Sequence, residues 1–283
     1  MSLENVFSNW SRYRKGHEEG GYHEYQHLWS MVVDLNKCIG CNACSVACYA
    51  ENNLAVVGKE RFDKGQAMHW LRVERYWDEP NLNPNGMSTE FNDKGGSFLP
   101  MMCQQCQAAT CEPVCPVAAT YHTPDGLNAQ VYNRCIGSRY CSNNCPFRLR
   151  YFNWYSHYES SWPEPLNLQL NPDITVRDKG VMEKCTFCVQ RIRSAKDTAR
   201  REGRKVRDGD VKPACVQGCP TSALVFGDLL DKESQVAKLW EKHEVQLAKT
   251  EQHKHDPDKR GYRVFERLNT DPKVLYLERV REV

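Results

Sequence analysis

Fifteen cysteines constrain this 283-residue chain more than any other feature, because every one of them lies in a cluster of closely spaced neighbours. The first group is Cys38, Cys41, Cys44 and Cys48, and the second is Cys103, Cys106, Cys111 and Cys115. The third is Cys135, Cys141 and Cys145, and the fourth is Cys185, Cys188, Cys215 and Cys219. A disulfide framework does not suit them: the count is odd, and the chain is neither small nor evidently secreted. Zinc is the stronger alternative, since Cys-x2-Cys pairs also build tetrahedral four-cysteine sites. Zinc pairs, however, come as two separated knuckles, whereas residues 38–48 run Cys-x2-Cys-x2-Cys-x3-Cys without interruption.

That run is the bacterial ferredoxin spacing. Three thiolates two residues apart, on a loop whose backbone N–H groups point inward, can hold three corners of an iron-sulfur cube. The fourth corner is left to a distant cysteine, commonly one followed by proline. Pro116, Pro146 and Pro220 follow Cys115, Cys145 and Cys219, while Cys48 is followed by Tyr49. The second group, CQQCQAATCEPVCP, widens the middle gap to four residues, and the fourth, CTFC then CVQGCP, widens it further. Both keep the opening pair and the closing Cys-x3-Cys-Pro. The third group, NRCIGSRYCSNNCP, aligns without a gap on NKCIGCNACSVACY, Asn36 with Asn133, Gly40 with Gly137, Cys48 with Cys145. Only Cys41 lacks a counterpart, at Ser138. Four groups of four, short by one, imply three 4Fe-4S clusters and one in which an iron has no soft ligand. The expected product is a 3Fe-4S centre of relatively high potential, since cluster type and charge set reduction potential. A hydroxyl or water holding a fourth iron, and a degenerate site, are the alternatives.

The remaining sequence excludes much. A net charge of +2 favours no particular partner, and the longest apolar run, VACYA at 46–50, is far short of the roughly 20 residues that cross a bilayer. The N-terminus carries neither an apolar signal region nor a twin-arginine pair, so export with a signal-bearing partner, or a cytoplasmic location, is expected. No nucleophile elbow, phosphate loop or dinucleotide fingerprint occurs, and no Cys-x-x-Cys is followed by His, so no catalytic residue and no attached c-type haem is assigned. The run FRLRYFNWYSHYESSW (147–162) mixes Arg148 and Arg150 with aromatic rings. It reads as core packing, or as rings that cover a cluster or meet a partner, rather than as a nucleic-acid surface. The basic stretch at 192–210 reads as a solvated helix and loop, with a docking surface for an acidic partner as the alternative.

Strand-like segments flank the cysteine runs: WSMVVDLN before Cys38, MHWLRVERYW at 68–77, LNAQVYN before Cys135 and ALVFGD after Cys219. The fold class expected is α+β, two ferredoxin-like dicluster modules related by duplication, with loop insertions and terminal docking extensions. Residues 1–30 form a docking arm, 31–230 the four-cluster core, and 231–283 a C-terminal helix and tail for docking. The helix places Val236, Leu239, Trp240 and His243 at helical spacing. Residues 81–97 read as a loop.

Four ferredoxin-type groups in this order resemble the iron-sulfur subunits of the complex iron-sulfur molybdoenzyme superfamily, over most of residues 31–227. CIGCNACSVACYAENN, MHWLRVERYW, CIGSRYCSNNCPFR, NPDITVRDKGVMEKCTFCVQRI and RVFERLNTDPKVLYLERV are similar, more narrowly, to the iron-sulfur region of alternative complex III and of the Qrc menaquinone reductase. In alternative complex III that region is often fused behind a large molybdopterin-like domain. A Met1 shortly before the first group favours a stand-alone subunit. The resemblance implies that Cys38, Cys41, Cys44 and Cys219 hold one cube, Cys185, Cys188, Cys215 and Cys48 a second, and Cys103, Cys106, Cys111 and Cys145 a third. Cys115, Cys135 and Cys141 then hold the 3Fe-4S centre. It further implies an electron relay between a multihaem cytochrome c and a quinone-binding integral membrane subunit. A molybdopterin-oxidoreductase-like large subunit, with or without molybdenum, and a peripheral position on the periplasmic side complete the expectation; nucleic acid is not a partner. The rival expectation is the electron-transfer subunit of a molybdopterin-dependent reductase of a small sulfur, nitrogen or arsenic compound.

Overall fold

A computed structural model of the chain describes residues 25–76, 97–156, 164–243 and 259–280. Most of the arm at 1–30, the loop at 81–97 and the end of the aromatic run at 147–162 lie outside these residues. The architecture is mixed α+β with small sheets. The strands are β1 (Trp29–Asp34), β2 (Leu71–Tyr76), β3 (Ser97–Met102), β4 (Thr120–His122), β5 (Asn128–Gln130), β6 (Tyr151–Phe152), β7 (Met182–Glu183), β8 (Leu224–Asp228), β9 (Gly261–Tyr262) and β10 (Val274–Leu277). The helices are α1 (Ala43–Glu51), α2 (Lys59–Asp63), α3 (Tyr140–Asn143), α4 (Val189–Arg201), α5 (Ala214–Gln217) and α6 (Gln235–His243).

The largest sheet has the order β8-β1-β10-β9. β1 pairs antiparallel with β8 and parallel with β10, Met31 opposite Val274 and Asp34 opposite Leu277. Five of the six β1 residues are buried, as befits a strand covered on both faces. Alternation divides those faces. Met31, Val33, Leu224, Phe226, Val274 and Tyr276 join the main core, in which Cys44, Cys48, Cys185 and Cys215 also sit. Val32, Leu275 and Leu277 pack with Val236 of α6, and Leu239 and Trp240 lie against them. The helix expected beyond Gly227 therefore forms, and its apolar stripe covers one face of the sheet.

The C-terminal stretch contributes more than a tail. All four residues of β10 are buried inside the central sheet, so the core draws on residues beyond 230. Tyr276, fully buried, donates its hydroxyl to the Pro100 carbonyl oxygen at 3.0 Å and accepts from the Gln104 side-chain amide at 3.1 Å. It thereby ties the sheet to the second cysteine group. The β2–β3 ribbon, Leu71 opposite Met102, and the short β4–β5 and β6–β7 pairs carry the remaining loops. Pro100 sits in β3, which pairs with β2 alone, where a missing N–H costs no ladder bond. The basic stretch from residue 192 runs along α4 into a loop, with Ile192 and Ala199 buried. Among the described residues no helix is long and apolar enough to cross a membrane.

Candidate cluster-binding sites

The loop between β1 and α1 enters the left-handed region at Gly40 (φ 69°) and again at Asn42 (φ 60°). The aligned loop before α3 does the same at Gly137 (φ 75°) and Arg139 (φ 60°). Glycine is required at both places: an added Cβ would lie 2.3 Å from the Phe98 ring at Gly40 and 2.4 Å from the Gly180 carbonyl oxygen at Gly137. This winding turns N–H groups toward sulfur, Gly40 toward Cys38 and Ser45 toward Cys44. Ser138 is exposed, as is Cys41, so serine stands in the same loop setting as the cysteine it replaces.

The opening pairs of the second and fourth groups share a second turn, with Gln105 (φ 47°) and Phe187 (φ 55°) between their cysteines. The Phe187 N–H donates to Cys185 Sγ at 3.4 Å. The three Cys-Pro closings share a third. Ala118, Arg148 and Ser222, each three residues after the cysteine, have φ of 49°, 52° and 51°. The next N–H then reaches back to the sulfur: Ala119 to Cys115 Sγ at 3.2 Å, Ala223 to Cys219 Sγ at 3.3 Å, and Leu149 to Cys145. Cys48, which lacks the proline, lies within α1, and the helix continues to Glu51. There a side chain replaces the backbone donor, the Asn52 amide nitrogen lying 3.5 Å from Cys48 Sγ and 3.8 Å from Cys188 Sγ. Hydrogen bonds to cluster sulfurs are one of the levers on potential, and these loops supply them.

Four gatherings of cysteines result. Cys38, Cys41, Cys44 and Cys219 line one small cavity, walled by Val73, Pro100 and Leu224. Cys103, Cys106, Cys111 and Cys145 line another, with Phe147, Leu149 and Arg150. Cys48 is buried among Cys185, Cys188 and Cys215; burial, then those neighbours, pushes its thiol well above the usual range. Cys141 faces Cys115 and Cys135. The sets also adjoin one another. Cys215 faces Cys44, Cys185 faces Cys103, and Arg150 faces Cys111 and Cys145 of one set and Cys141 of the next. They form a row whose second member is wholly buried and whose outer members carry the exposed Cys41 and Ser138.

The donor chemistry suits iron-sulfur clusters. Burial pushes Cys44 up to about 11 and Cys111 and Cys185 to about 12, so these thiols stay protonated until a cationic metal displaces the proton. Cys219 is the exception: burial opposes ionisation, but the Thr221 hydroxyl and the N–H groups of Ala223, Thr221 and Leu224 outweigh it and hold the thiol below its usual value. Among the described residues no three Cys, His, Asp or Glu side chains gather as a site for a single ion. In two of the sets the sulfurs line a small cavity, the arrangement a cube needs.

Several supporting residues escape the cysteine pattern. Gln104 and Gln105, between Cys103 and Cys106, are fully buried. Gln105 donates to the Cys185 carbonyl at 2.9 Å and accepts from the Asn128 N–H at 2.9 Å, fastening the second group to the fourth and to β5. Lys184, also fully buried, donates to the Cys185 carbonyl at 2.8 Å and lies 3.4 Å from Cys103 Sγ. Glu183 and Arg177 form a buried pair at 2.8 Å beneath Trp70. A polar or charged residue directly beside a cysteine of a cluster run is the sequence signal that marks Gln104, Gln105 and Lys184.

Comparison with known proteins agrees with this chemistry. The 4Fe-4S dicluster domain profile matches residues 37–119. The menaquinone reductase iron-sulfur cluster-binding subunit of Nitratidesulfovibrio vulgaris is 42% identical over 262 residues, covering 91% of each chain. The iron-sulfur subunit of a putative dimethyl sulfoxide reductase of Halobacterium salinarum is 33% identical, covering 88% of this chain and 78% of the relative. The Hdr-like menaquinol oxidoreductase iron-sulfur subunit 1 of Archaeoglobus fulgidus is 32% identical, covering 88% and 82%.

Proposed function

The chain belongs to the family of iron-sulfur cluster-binding electron-transfer subunits that includes the menaquinone reductase subunit, and we propose that it relays single electrons between a multihaem cytochrome c and a quinone site in an integral membrane subunit. The observation that carries this reading is the row of four cysteine gatherings, wholly buried at its second member and exposed at its two ends, at Cys41 and Ser138. Cys38, Cys41, Cys44 and Cys219 hold the first 4Fe-4S cluster, Cys48, Cys185, Cys188 and Cys215 the second, and Cys103, Cys106, Cys111 and Cys145 the third. Cys115, Cys135 and Cys141 hold a 3Fe-4S centre. The clusters supply the one-electron chemistry when bound. The chain's own residues fix the thiolates, donate N–H groups to sulfur and keep water from the inner sites.

The matching backbone at Gly40 and Gly137, Asn42 and Arg139, supports descent of the two loops from one duplicated module. Residues 1–30 and the parts of 231–283 outside the sheet are assigned to docking. The partners are the membrane subunit, a molybdopterin-oxidoreductase-like large subunit and the cytochrome, on the periplasmic side. A second reading, the electron-transfer subunit of a molybdenum reductase, is favoured by the 33% identity to the dimethyl sulfoxide reductase relative. Metal analysis of the native assembly separates the two. Stoichiometric c-type haem without molybdenum is the expected result, and stoichiometric molybdenum or tungsten would select the second reading.

A further inference from the structure

One charged side chain stands between two of the cysteine gatherings with no opposite charge of the usual kind. Arg150, just ahead of β6, is 4% exposed. Its Nη1 donates to Gln130 Oε1 at 2.8 Å and to Thr120 Oγ1 at 3.1 Å, and its Nη2 donates to Asn128 Oδ1 at 2.8 Å. All three acceptors are neutral and come from β4 and β5. Among the described residues no carboxylate pairs with it. A guanidinium cannot shed its proton, and a buried charge left unpaired is strongly unfavourable. The Glu112 carboxylate is linked to it through the Asn128 side chain, and the groups that can carry negative charge directly beside it are cysteine sulfurs. Arg150 lines the cavity of Cys103, Cys106, Cys111 and Cys145, and it hydrogen-bonds Cys141 of the adjoining set.

We propose that Arg150 is the shared counter-charge of two neighbouring clusters, the one held by Cys103, Cys106, Cys111 and Cys145 and the one held by Cys115, Cys135 and Cys141, and that it raises the reduction potential of both while leaving the other two unmoved. The proposal rests on the cluster assignment above. An electron added to either cluster brings negative charge next to a fixed cation in a site of low dielectric, where Coulomb attraction is strong. Net charge and hydrogen bonds to sulfur are both recognised levers on cluster potential, and Arg150 acts through each. Gln130, Thr120 and Asn128 hold the guanidinium in place without neutralising it. Lys184, 3.4 Å from Cys103 Sγ, adds positive charge at the first of the two clusters. Loss of Arg150 is therefore partly offset by this lysine at the first of the two. Electrons entering the row collect at this end.

The test is an EPR-monitored redox titration of the full-length, cluster-loaded protein, poised with dithionite and ferricyanide through mediators. In Arg150→Gln the reduced-to-oxidised ratio of both centres at a fixed potential should fall at least tenfold, about 59 mV for a one-electron couple, with the other two titrating as in the wild type. Arg150→Lys, which keeps the charge, should recover most of the shift. Should Arg150→Gln fail to retain iron, Gln130→Glu serves: it is isosteric, sets a carboxylate against the guanidinium, and should move the same two centres the same way. Unmoved midpoints in whichever of these variants retains its iron, an equal shift in all four centres, or a lysine variant no better than the glutamine one would each overturn the proposal. The wild-type iron content and spectrum test the cluster assignment separately.

Discussion

Ser138 differs from Cys41 in one atom that iron can use, and the backbone of its loop is otherwise the same. Both follow a left-handed glycine, both precede a left-handed residue that leads into a helix, and both are exposed. On the proposed assignment a corner open to water, with a hydroxyl in place of a soft thiolate, does not keep a fourth iron, whereas a thiol restored there meets a backbone already shaped for it. Ser138→Cys should therefore add one iron per chain, abolish the EPR signal of the oxidised 3Fe-4S centre and lower that centre's potential. A spectrum unchanged in a variant that folds normally would count against the reading. The identity of this position was legible in the sequence, because the two loops align residue for residue. The role of Arg150 was not: in the run at 147–162 it is one charged residue among rings, and only the tertiary fold brings β4, β5 and two cysteine groups around it.

At the scale of elements, β1, β2, β8 and α6 were readable from local pattern, since an apolar run and a helical stripe declare themselves within a few residues. β10 was visible as an apolar segment but not as the parallel neighbour of β1, because nothing local in VLYL encodes a partner more than two hundred residues away. β3 was missed: its proline and its place against the loop at 81–97 hide a strand that exists through pairing with β2. The structural weight of β10 is open to measurement. Leu275 is fully buried against Val236, and Leu275→Ala should cost about 2–5 kcal/mol, read as a lower denaturation midpoint. Because Leu275 points away from the cysteines, iron content and EPR signals of the folded variant should stay at wild-type values. Loss of clusters in that variant would contradict the division of the sheet into a cluster face and a helix face.

At the scale of the molecule, the sheets are small and long loops connect them, so the clusters and the fold depend on each other. Where ligands are gathered only by folding, metal-binding energy becomes folding energy. The sequence revealed the four groups because the spacing within each loop is local. The partner that completes each set is remote, Cys219 for the first group and Cys48 for the fourth, and no spacing specifies it. The fold brings these remote cysteines beside their sets, with the short-chain set around Ser138 at one end of the row. On the proposed assignment, electron transfer along the row requires that all four sets be filled. The most direct measurement is iron and sulfide quantification with EPR of the purified, anaerobically loaded chain. Roughly fifteen irons per chain, with a 3Fe-4S signal when oxidised and interacting 4Fe-4S signals when reduced, is the expected result. Zinc in place of iron, disulfide-bonded cysteines, or an iron content that fills only two sites would contradict it.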